Sequence, residues 1–268
     1  MKSLILIDTS FTLFYRFYAT LRWYSHSFPE EYEKNKSNPN YEWLLNKEFI
    51  EKYEKLYLES MIKAVTKKVF ENSDIIFCMD DSRDQLWRNE LDCKYKKDRA
   101  DLSLKNNFKP IFIYTCDVII PKIIEEYDNI RMMKINKVEA DDIIAVICKN
   151  VDHHVYIISG DKDFHQLGNK KITFLNFKNE ITLTKEQAKE SLKNKILLGD
   201  ASDCIPSIFP KGFKKKKILE SEEKLNEFLD SNIDAKKQYE HNKRMIDFDH
   251  IPDKYSKKII KLFNLLHN

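Results

Sequence analysis

Glycine is scarce in this sequence, and the few glycines are confined to one part of it. Only four of the 268 residues are glycine, and all four lie between positions 160 and 212. Glycine is used where the chain turns tightly or where another group approaches closely. Tight turns or close approaches of another group are therefore expected between positions 160 and 212.

Several common site types are also absent. The five cysteines are scattered without CxxC spacing and the seven histidines lack metal-ligand spacing, so neither zinc nor a disulfide framework is indicated. Such cysteines are typical of reduced thiols in an intracellular protein. No apolar run approaches membrane-spanning length, and the opening MKSLILID is too short and too soon acidic for a signal peptide, so we expect no membrane association. No Ser-His-Asp or Cys-His arrangement competes as a nucleophilic site.

The residues that are present describe a charged chain whose charges are sorted by sign. Hydrophobic residues make up 42% and charged residues 33%, which fits a soluble globular protein of one large or two small domains. The net charge is only +3, but bases gather in KYKKDR (94–99) and KGFKKKK (211–217), whereas acids gather at predicted strand ends. An acidic centre flanked by basic patches suits a polyanion that is held by its phosphates and cut at a metal site.

The strongest pattern lies between positions 139 and 163. Glu139, Asp141 and Asp142 precede apolar residues at helical spacing, which predicts a helix that begins at these acids. The run VYIIS then predicts a buried strand, and Asp161 and Asp163 follow in the turn after it. The helix dipole alone accounts for Glu139 and Asp141 as caps, but not for the two acids after the strand. Like charges so close together need cations, which favours a divalent metal site.

Three other segments carry acids in comparable positions. LILID predicts a strand that ends at Asp8, although a single acid there is about as compatible with a helix cap. DIIFCMDD predicts a second strand that ends at Asp80 and Asp81, and in GDASDCIP the acids Asp200 and Asp203 stand three residues apart. In a parallel sheet the carboxyl ends of the strands share one edge, where the sites of open α/β sheets form.

The rest of the chain has a mainly helical pattern. Helices are predicted for residues 10–22, 43–70 and 111–127, and strands for residues 130–136 and 171–177. Thr184 and Gln187 form a capping box for a later helix. Residues 23–41 are polar and contain two prolines, which predicts a loop. Residues 82–99 are compatible with a basic helix, either as a solvated face or as a nucleic-acid contact.

The motifs, taken in order, resemble those of a known family. LILID, CMDD, WRNEL…YKKDR, VEADD, SGDKDF, GDASDCIP and IDFDHIPD resemble the 5′-nuclease (flap endonuclease) superfamily, most of all its T-even phage ribonuclease H branch. The resemblance covers nearly the whole chain. It implies an α/β fold with a mainly parallel central sheet flanked by helices, the PIN-like 5′-nuclease fold. It also implies a catalytic domain over 1–180 with a helical arch over 82–128, and a helical DNA-binding region over 181–268 with a helix-three-turn-helix.

The resemblance also implies roles for individual residues. Lys96 and Arg99 match the catalytic basic pair that contacts the scissile phosphate. The metal-binding carboxylates match Asp8, Asp80, Glu139, Asp141, Asp161 and Asp163, and the second-metal or outer-shell acids match Asp142, Asp200 and Asp203. Candidate nucleic-acid contacts are Arg16, Arg88, Lys97, Lys211, Gly212, Lys214 and Lys215. Asp81 duplicates Asp80, and the offset to Trp87 favours Asp80 as the ligand.

The implied activity is that of a Mg²⁺-dependent, structure-specific 5′ nuclease. It would combine 5′→3′ exonuclease, flap endonuclease and RNase H-type primer removal, with two Mg²⁺ ions for which Mn²⁺ substitutes. The implied partners are branched or 5′-ended duplex DNA and RNA–DNA hybrid, met during replication or repair by a monomer. A single-strand binding protein and a sliding clamp are candidate protein partners, although no glutamine-aromatic clamp-binding motif is present at the C-terminus.

Two alternatives stay open on the sequence. A PIN-type single-strand ribonuclease would share the acidic cluster, but it would not need GDASDCIP or the long basic tail. A non-catalytic DNA-binding or scaffold protein would keep its acids for structure alone. Missing family carboxylates would have favoured that alternative, yet every expected position is acidic.

Overall fold

The computed structural model describes residues 2–97 and 107–267, which are built around a six-stranded sheet. The strands are β1 (Ser3–Asp8), β2 (Ser73–Met79), β3 (Ile130–Lys134), β4 (Val155–Ile158), β5 (Ile172–Leu175) and β6 (Glu180–Ile181). Their order is β3-β2-β1-β4-β5-β6, and every neighbouring pair is parallel except β5 and β6. The predicted α/β fold with a mainly parallel sheet is therefore confirmed.

The position of β1 explains its unbroken apolar sequence. Leu4 and Leu6 pack into the core on one face of the sheet, whereas Ile5 and Ile7 pack into the core on the other, and all four are fully buried. A central parallel strand is covered by helices on both faces, so it is apolar at every position instead of alternating. The strand order reverses between β1 and β4, and ligands of open α/β sheets bind at such a reversal.

Helices cover both faces of the sheet. They are α1 (Thr9–Ser27), α2 (Pro29–Asn35), α3 (Lys47–Val65), α4 (Lys67–Glu71), α5 (Phe108–Tyr114), α6 (Ile120–Glu126), α7 (Ala140–Asn150), α8 (Lys185–Leu198), α9 (Lys216–Leu219), α10 (Glu222–Ser231), α11 (Ile233–Ile246) and α12 (Asp253–His267). The core on one face is built with α1, α3, α5 and α6, and the core on the other with α7 and α12. Among the described residues, no helix combines the length and the apolarity needed to cross a membrane.

The prediction of a loop over residues 23–41 is wrong for most of its length. Helix α1 extends into this segment and α2 occupies its middle. Tyr24 is fully buried, stacks on Phe28 at 4.8 Å between ring centroids and meets Trp43 edge-on at 5.5 Å. Pro29 opens α2 at its first turn, where a missing N–H removes no helical hydrogen bond. Aromatic packing thus makes a helix from a polar sequence with two prolines.

The expectation of one helix over residues 82–99 is also wrong in the part that the structure describes. Short 3₁₀ turns form at Arg83–Gln85 and Trp87–Glu90. The Trp87 and Arg88 side chains are each only 3% exposed because they turn inward toward the start of α7. This segment therefore contributes to the interior, and its aromatic and guanidinium groups are not a solvated helix face.

Gly199 ends α8 with a backbone that only glycine adopts without strain here. Its φ is 71°, and an ideal Cβ would lie 2.3 Å from the carbonyl oxygen of Ile205. That close approach accompanies two backbone hydrogen bonds of 2.8 Å between Asp200 and Ile205, one in each direction. Gly199 therefore fixes the position of the acid that follows it.

Replacing Gly199 with alanine is expected to lower the free energy of unfolding by about 3 kcal/mol, from left-handed strain and overlap with backbone. Gly212→Ala is the matched control, because Gly212 has a φ of 82° but open space around its Cα. We expect a loss of about 1 kcal/mol there. Urea unfolding of both variants measures the difference, and equal losses would contradict the steric explanation.

Candidate active site

Four carboxylates converge at the carboxyl edge of the sheet, where the strand order reverses. Asp8 ends β1, Asp80 follows β2, Asp161 follows β4, and Asp141 lies in the first turn of α7. Burial and the charge of Asp80 raise the pKa of Asp8 to about 7. Burial and the charges of Asp161 and Asp8 also raise the pKa of Asp141. These charge effects place Asp8 near Asp80 and Asp161, and Asp141 near Asp161 and Asp8. Like charges near one another favour the neutral carboxyls, and a bound cation would favour their ionised forms.

Two serines hold the first pair of carboxylates in place. Asp8 caps α1 and accepts a hydrogen bond of 2.7 Å from the Ser159 hydroxyl. Asp80 accepts 2.6 Å from the Ser10 hydroxyl and 2.8 Å from the backbone N–H of Ala140. Each oxygen of Asp8 and of Asp80 thus accepts a hydrogen bond within the chain, which fixes the orientation of these two carboxylates at the ends of neighbouring strands.

Asp81 takes the opposite direction from Asp80. Its carboxylate accepts 2.8 Å from the backbone N–H of Lys137 and lies 3.7 Å from the Lys134 ammonium. Burial raises the pKa of Asp81 more than any single contact lowers it, but backbone hydrogen bonds from Lys137 and Ser82 together with the Lys134 charge bring it below its usual value. Of the two adjacent acids, Asp80 is the one that the structure places with Asp8.

A second group of acids lies beside the first. Oxygens of Asp163, Asp200 and Asp203 all lie within 4.8 Å of one another. The ammonium of Lys195, from α8, contacts Asp163 and lies 2.8 Å from an oxygen of Asp200. Although burial opposes ionisation, Lys195 and Ser202 lower the pKa of Asp200 to about 2.

Asp142 belongs to neither group, and its hydrogen bonds fit the outer-shell alternative of its prediction better than ligation of a second metal. One carboxylate oxygen accepts 2.7 Å from the Arg88 guanidinium and the other accepts 2.7 Å from the Trp87 indole N–H. Asp142 is fully buried and Arg88 is 3% exposed, which also contradicts a nucleic-acid contact at Arg88. The pair is instead an internal brace between the 3₁₀ turns and α7.

Glu139 and Lys96 lie together at the edge of the acidic site. The Lys96 ammonium donates 2.5 Å to one oxygen of Glu139 and lies 3.8 Å from Asp203, while Arg88 donates 2.6 Å to the other oxygen of Glu139. Burial opposes ionisation of Glu139, yet Lys96 and Arg88 lower its pKa to about 2. Metal ligation by Glu139 stays a prediction that requires Lys96 to move. The other predicted catalytic base, Arg99, lies outside the described residues.

The predicted nucleic-acid contacts divide into exposed and buried residues. Exposed positions are Lys97, Lys211, Gly212, Lys214 and Lys215. Arg16 is only 9% exposed on the inner side of α1, where burial lowers the pKa of its guanidinium. This burial does not favour the phosphate contact at Arg16, which stays a prediction.

Several side chains at this site were not identified from the sequence. Ser10 and Ser159 stand beside predicted acids, so their proximity to Asp8 and to SGDKDF was a usable signal. Tyr95 donates 3.1 Å to Glu139 from within the basic segment. Nothing in the sequence distinguishes Lys195 as a site residue, because it is one of many lysines along a polar helix.

The donor set fits hard divalent cations. Carboxylate oxygens with raised pKa values are clustered, and two lysine ammoniums already lie against neighbouring acids of the same site. Oxygen ligands of this kind suit Mg²⁺ or similar ions. Divalent cations held by carboxylates can support metal-assisted cleavage of phosphodiesters.

This fold and this site are those of a nuclease of the 5′-nuclease superfamily. The chain belongs to the 5′-3′ exonuclease family, because the model of that family's N-terminal resolvase-like domain matches residues 3–194. The recognition made from the motifs is thereby confirmed.

Proteins of known name are similar over much of the chain. Ribonuclease H of Enterobacteria phage T4 is 26% identical over 231 residues, which is 78% of this chain and 76% of the relative. A 5′-3′ exonuclease of Buchnera aphidicola is 32% identical over 187 residues, covering 65% of this chain and 59% of the relative.

Solved structures show the same fold at low identity. The bacteriophage T5 D15 protein co-crystallised with metal ions has a TM-score of 0.64 and 16% identity, covering 97% of this chain and 99% of that one. A T5 D15 flap endonuclease complex with DNA and metal ions has a TM-score of 0.62 and 15% identity, covering 97% and 98%.

Proposed function

We propose that this protein is a Mg²⁺-dependent, structure-specific 5′ nuclease that hydrolyses phosphodiesters in DNA or RNA–DNA hybrid. The observation that supports the proposal is that acids from separate strand ends lie at one edge of the sheet, next to a cavity lined by Asp141, Asp163, Asp200 and Asp203. Asp8, Asp80, Asp141 and Asp161 would hold one cation. Asp163, Asp200 and Asp203 would hold a second.

The chemistry divides between the bound ions and the chain. Bound divalent cations would supply an activated water and neutralise the charge that develops on the phosphate. The chain orients its carboxylates through the hydroxyls of Ser10 and Ser159. Lys96, already beside Glu139 and Asp203, is close enough to the acids to stabilise negative charge on a bound phosphate without acting as a base.

Substrate binding is assigned to the exposed bases. The loop that carries Lys211, Lys214 and Lys215 precedes α9 and would contact a duplex backbone. Lys97, which follows Lys96 in the chain and is exposed, is a further candidate contact. Phosphate contacts position a nucleic acid but carry no sequence information, so the enzyme would select structure. On this proposal the sheet with its flanking helices forms the catalytic domain, predicted over 1–180, to whose core α12 also contributes. Duplex binding is assigned to the region before α12 within 181–268. Of the predicted arch over 82–128, the 3₁₀ turn at Trp87–Glu90 and the helices α5 and α6 pack inward, and residues 98–106 lie outside the described residues.

The biological setting follows from the same proposal. Removal of RNA primers or flaps places the protein inside the cell, at replicating DNA. The T4 relative is named ribonuclease H, and a T5 neighbour was crystallised with DNA and metal ions. A monomer would suffice, with a single-strand binding protein or a sliding clamp as candidate partners.

The test is cleavage of end-labelled substrates with Mg²⁺ and with EDTA. The substrates are a 5′-flap duplex, a nicked duplex, an RNA-primed template and unpaired RNA. We expect Mg²⁺-dependent cleavage near the 5′ end of the first three and little cleavage of the last. Preferred cutting of unpaired RNA would support a PIN-type ribonuclease instead, and binding without any cleavage would support a non-catalytic protein.

A further inference from the structure

Lys195 places a positive charge inside the second acidic group. Its ammonium contacts Asp163 and lies 2.8 Å from Asp200, and these two acids come from different parts of the chain. The Lys195 side chain is 21% exposed, and the two carboxylates are 18% and 17% exposed, so water screens this contact only partly. The lysine is part of the wall of the site.

The charges of the three carboxylates explain why the Lys195 ammonium lies there. Three carboxylates whose oxygens lie within 4.8 Å repel one another, and an ammonium between two of them offsets that repulsion. A divalent ion that binds the same oxygens meets the Lys195 charge at close range, and the two positive charges repel.

We propose that Lys195 is the built-in counter-cation of this second position and that a divalent ion must displace it in order to bind. This inference rests on the proposed function, because it takes Asp163, Asp200 and Asp203 as cation ligands. Lys195 then keeps the affinity of the second position low in the free protein. A phosphate that enters the site favours the exchange, because it brings negative charge for both the ion and the released ammonium.

Lys193 provides a matched control on the same helix. It lies two residues before Lys195 and pairs with Glu222 at 2.6 Å, away from the acidic group. Lys195→Met and Lys193→Met both remove one positive charge from α8. The first removes it next to the acids, whereas the second removes it away from them. Lys195→Arg keeps a positive charge at the site.

The direct test is a titration of the whole chain with Mn²⁺ in the absence of nucleic acid. Electron paramagnetic resonance measures the concentration of free Mn²⁺ and hence how much is bound. Wild type is expected to bind one ion tightly and a second weakly. Lys195→Met should tighten the second affinity by about tenfold or more, because the competing charge is gone. The first affinity should not change, and Lys193→Met and Lys195→Arg should resemble wild type. An unchanged second affinity in Lys195→Met would overturn the proposal.

A measurement on the wild-type chain covers the case in which Lys195→Met does not fold. Brief acetylation, read by mass spectrometry, reports how accessible each lysine amine is. Saturating Mg²⁺ should increase the acetylation of Lys195 and leave that of Lys193 unchanged. Equal or lower reactivity of Lys195 with Mg²⁺ would contradict displacement.

The outcomes separate this inference from the proposed function. If the wild type binds no Mn²⁺ and cuts none of the substrates, the metal-dependent nuclease itself is wrong. If it cuts the flap substrate but Lys195→Met binds the second ion no more tightly, only the role of Lys195 is wrong.

Discussion

Replacing Asp80 with asparagine is expected to reduce Mg²⁺-dependent cleavage by on the order of 10³-fold. Asparagine keeps the size of the side chain, and its one oxygen can accept from the backbone N–H of Ala140 while its NH₂ group donates to the Ser10 hydroxyl. It removes one negative charge from the acids that would hold the first cation, and several kcal/mol of transition-state stabilisation depend on that cation. Turnover of a saturating 5′-flap substrate measures the loss.

Asp81→Asn is the matched control, one residue away and identical in chemistry. Asp81 faces Lys137 and Lys134 instead of the crevice, so its replacement should change turnover by less than about twofold. Circular dichroism and the midpoint of urea unfolding establish that both variants fold. Equal losses in the two variants, or full activity in Asp80→Asn, would contradict the placement of the first cation.

The different surroundings of Asp80 and Asp81 show which structural features can be predicted from the sequence and which cannot. The apolar run DIIFCM predicts β2 and brings two acids to its end, but adjacent residues after a strand point in different directions. Which acid enters the crevice depends on Ser10 and Ala140, which lie 70 and 60 residues away from Asp80 in the chain. The offset to Trp87 favoured Asp80, and the observed geometry agrees with that choice.

The elements around the site were predictable where local pattern and tertiary packing agree. Apolar β-branched runs gave β1, β2 and β4, and helical spacing after the acids gave α7 with a capping box between Glu139 and Asp142. The capping box of α8, with Thr184 and Gln187, formed as expected. In each case a few residues that are adjacent in the sequence are sufficient to predict the strand or helix.

Other features depended on partners that no local pattern identifies. Residues 23–41 become helical because Tyr24 is buried among aromatics from a later segment. Arg88 looked like one more base in a basic run, but it turns inward to acids more than 50 residues away. The sequence identified the acids as candidates, but which of them pair with Arg88 and Lys96 inside the protein became visible only in the fold.

Arg88→Met is expected to lower the free energy of unfolding by about 3–5 kcal/mol. Methionine fills much of the space but leaves Glu139 and Asp142, which are 2% and 0% exposed, without the guanidinium that they share. Lys149→Met is the control, since its pair with Asp249 is partly exposed, and we expect a loss below about 1 kcal/mol. Urea unfolding at neutral pH measures both, and similar losses would contradict the brace.

The loss of stability caused by Arg88→Met is expected to depend on pH and to become smaller at acidic pH. Despite burial, Lys96 and Arg88 lower the pKa of Glu139 from 4.5 to about 2, so its ionised form stabilises the fold above pH 4.5. That contribution is lost as the pH falls from 4.5 toward 2, because the folded and unfolded states then bind the proton equally. Since Arg88→Met removes part of the contribution at neutral pH, the stability difference between wild type and variant should narrow on acidification. A difference that stays constant from pH 7 to pH 3 would show that Arg88 acts through packing alone.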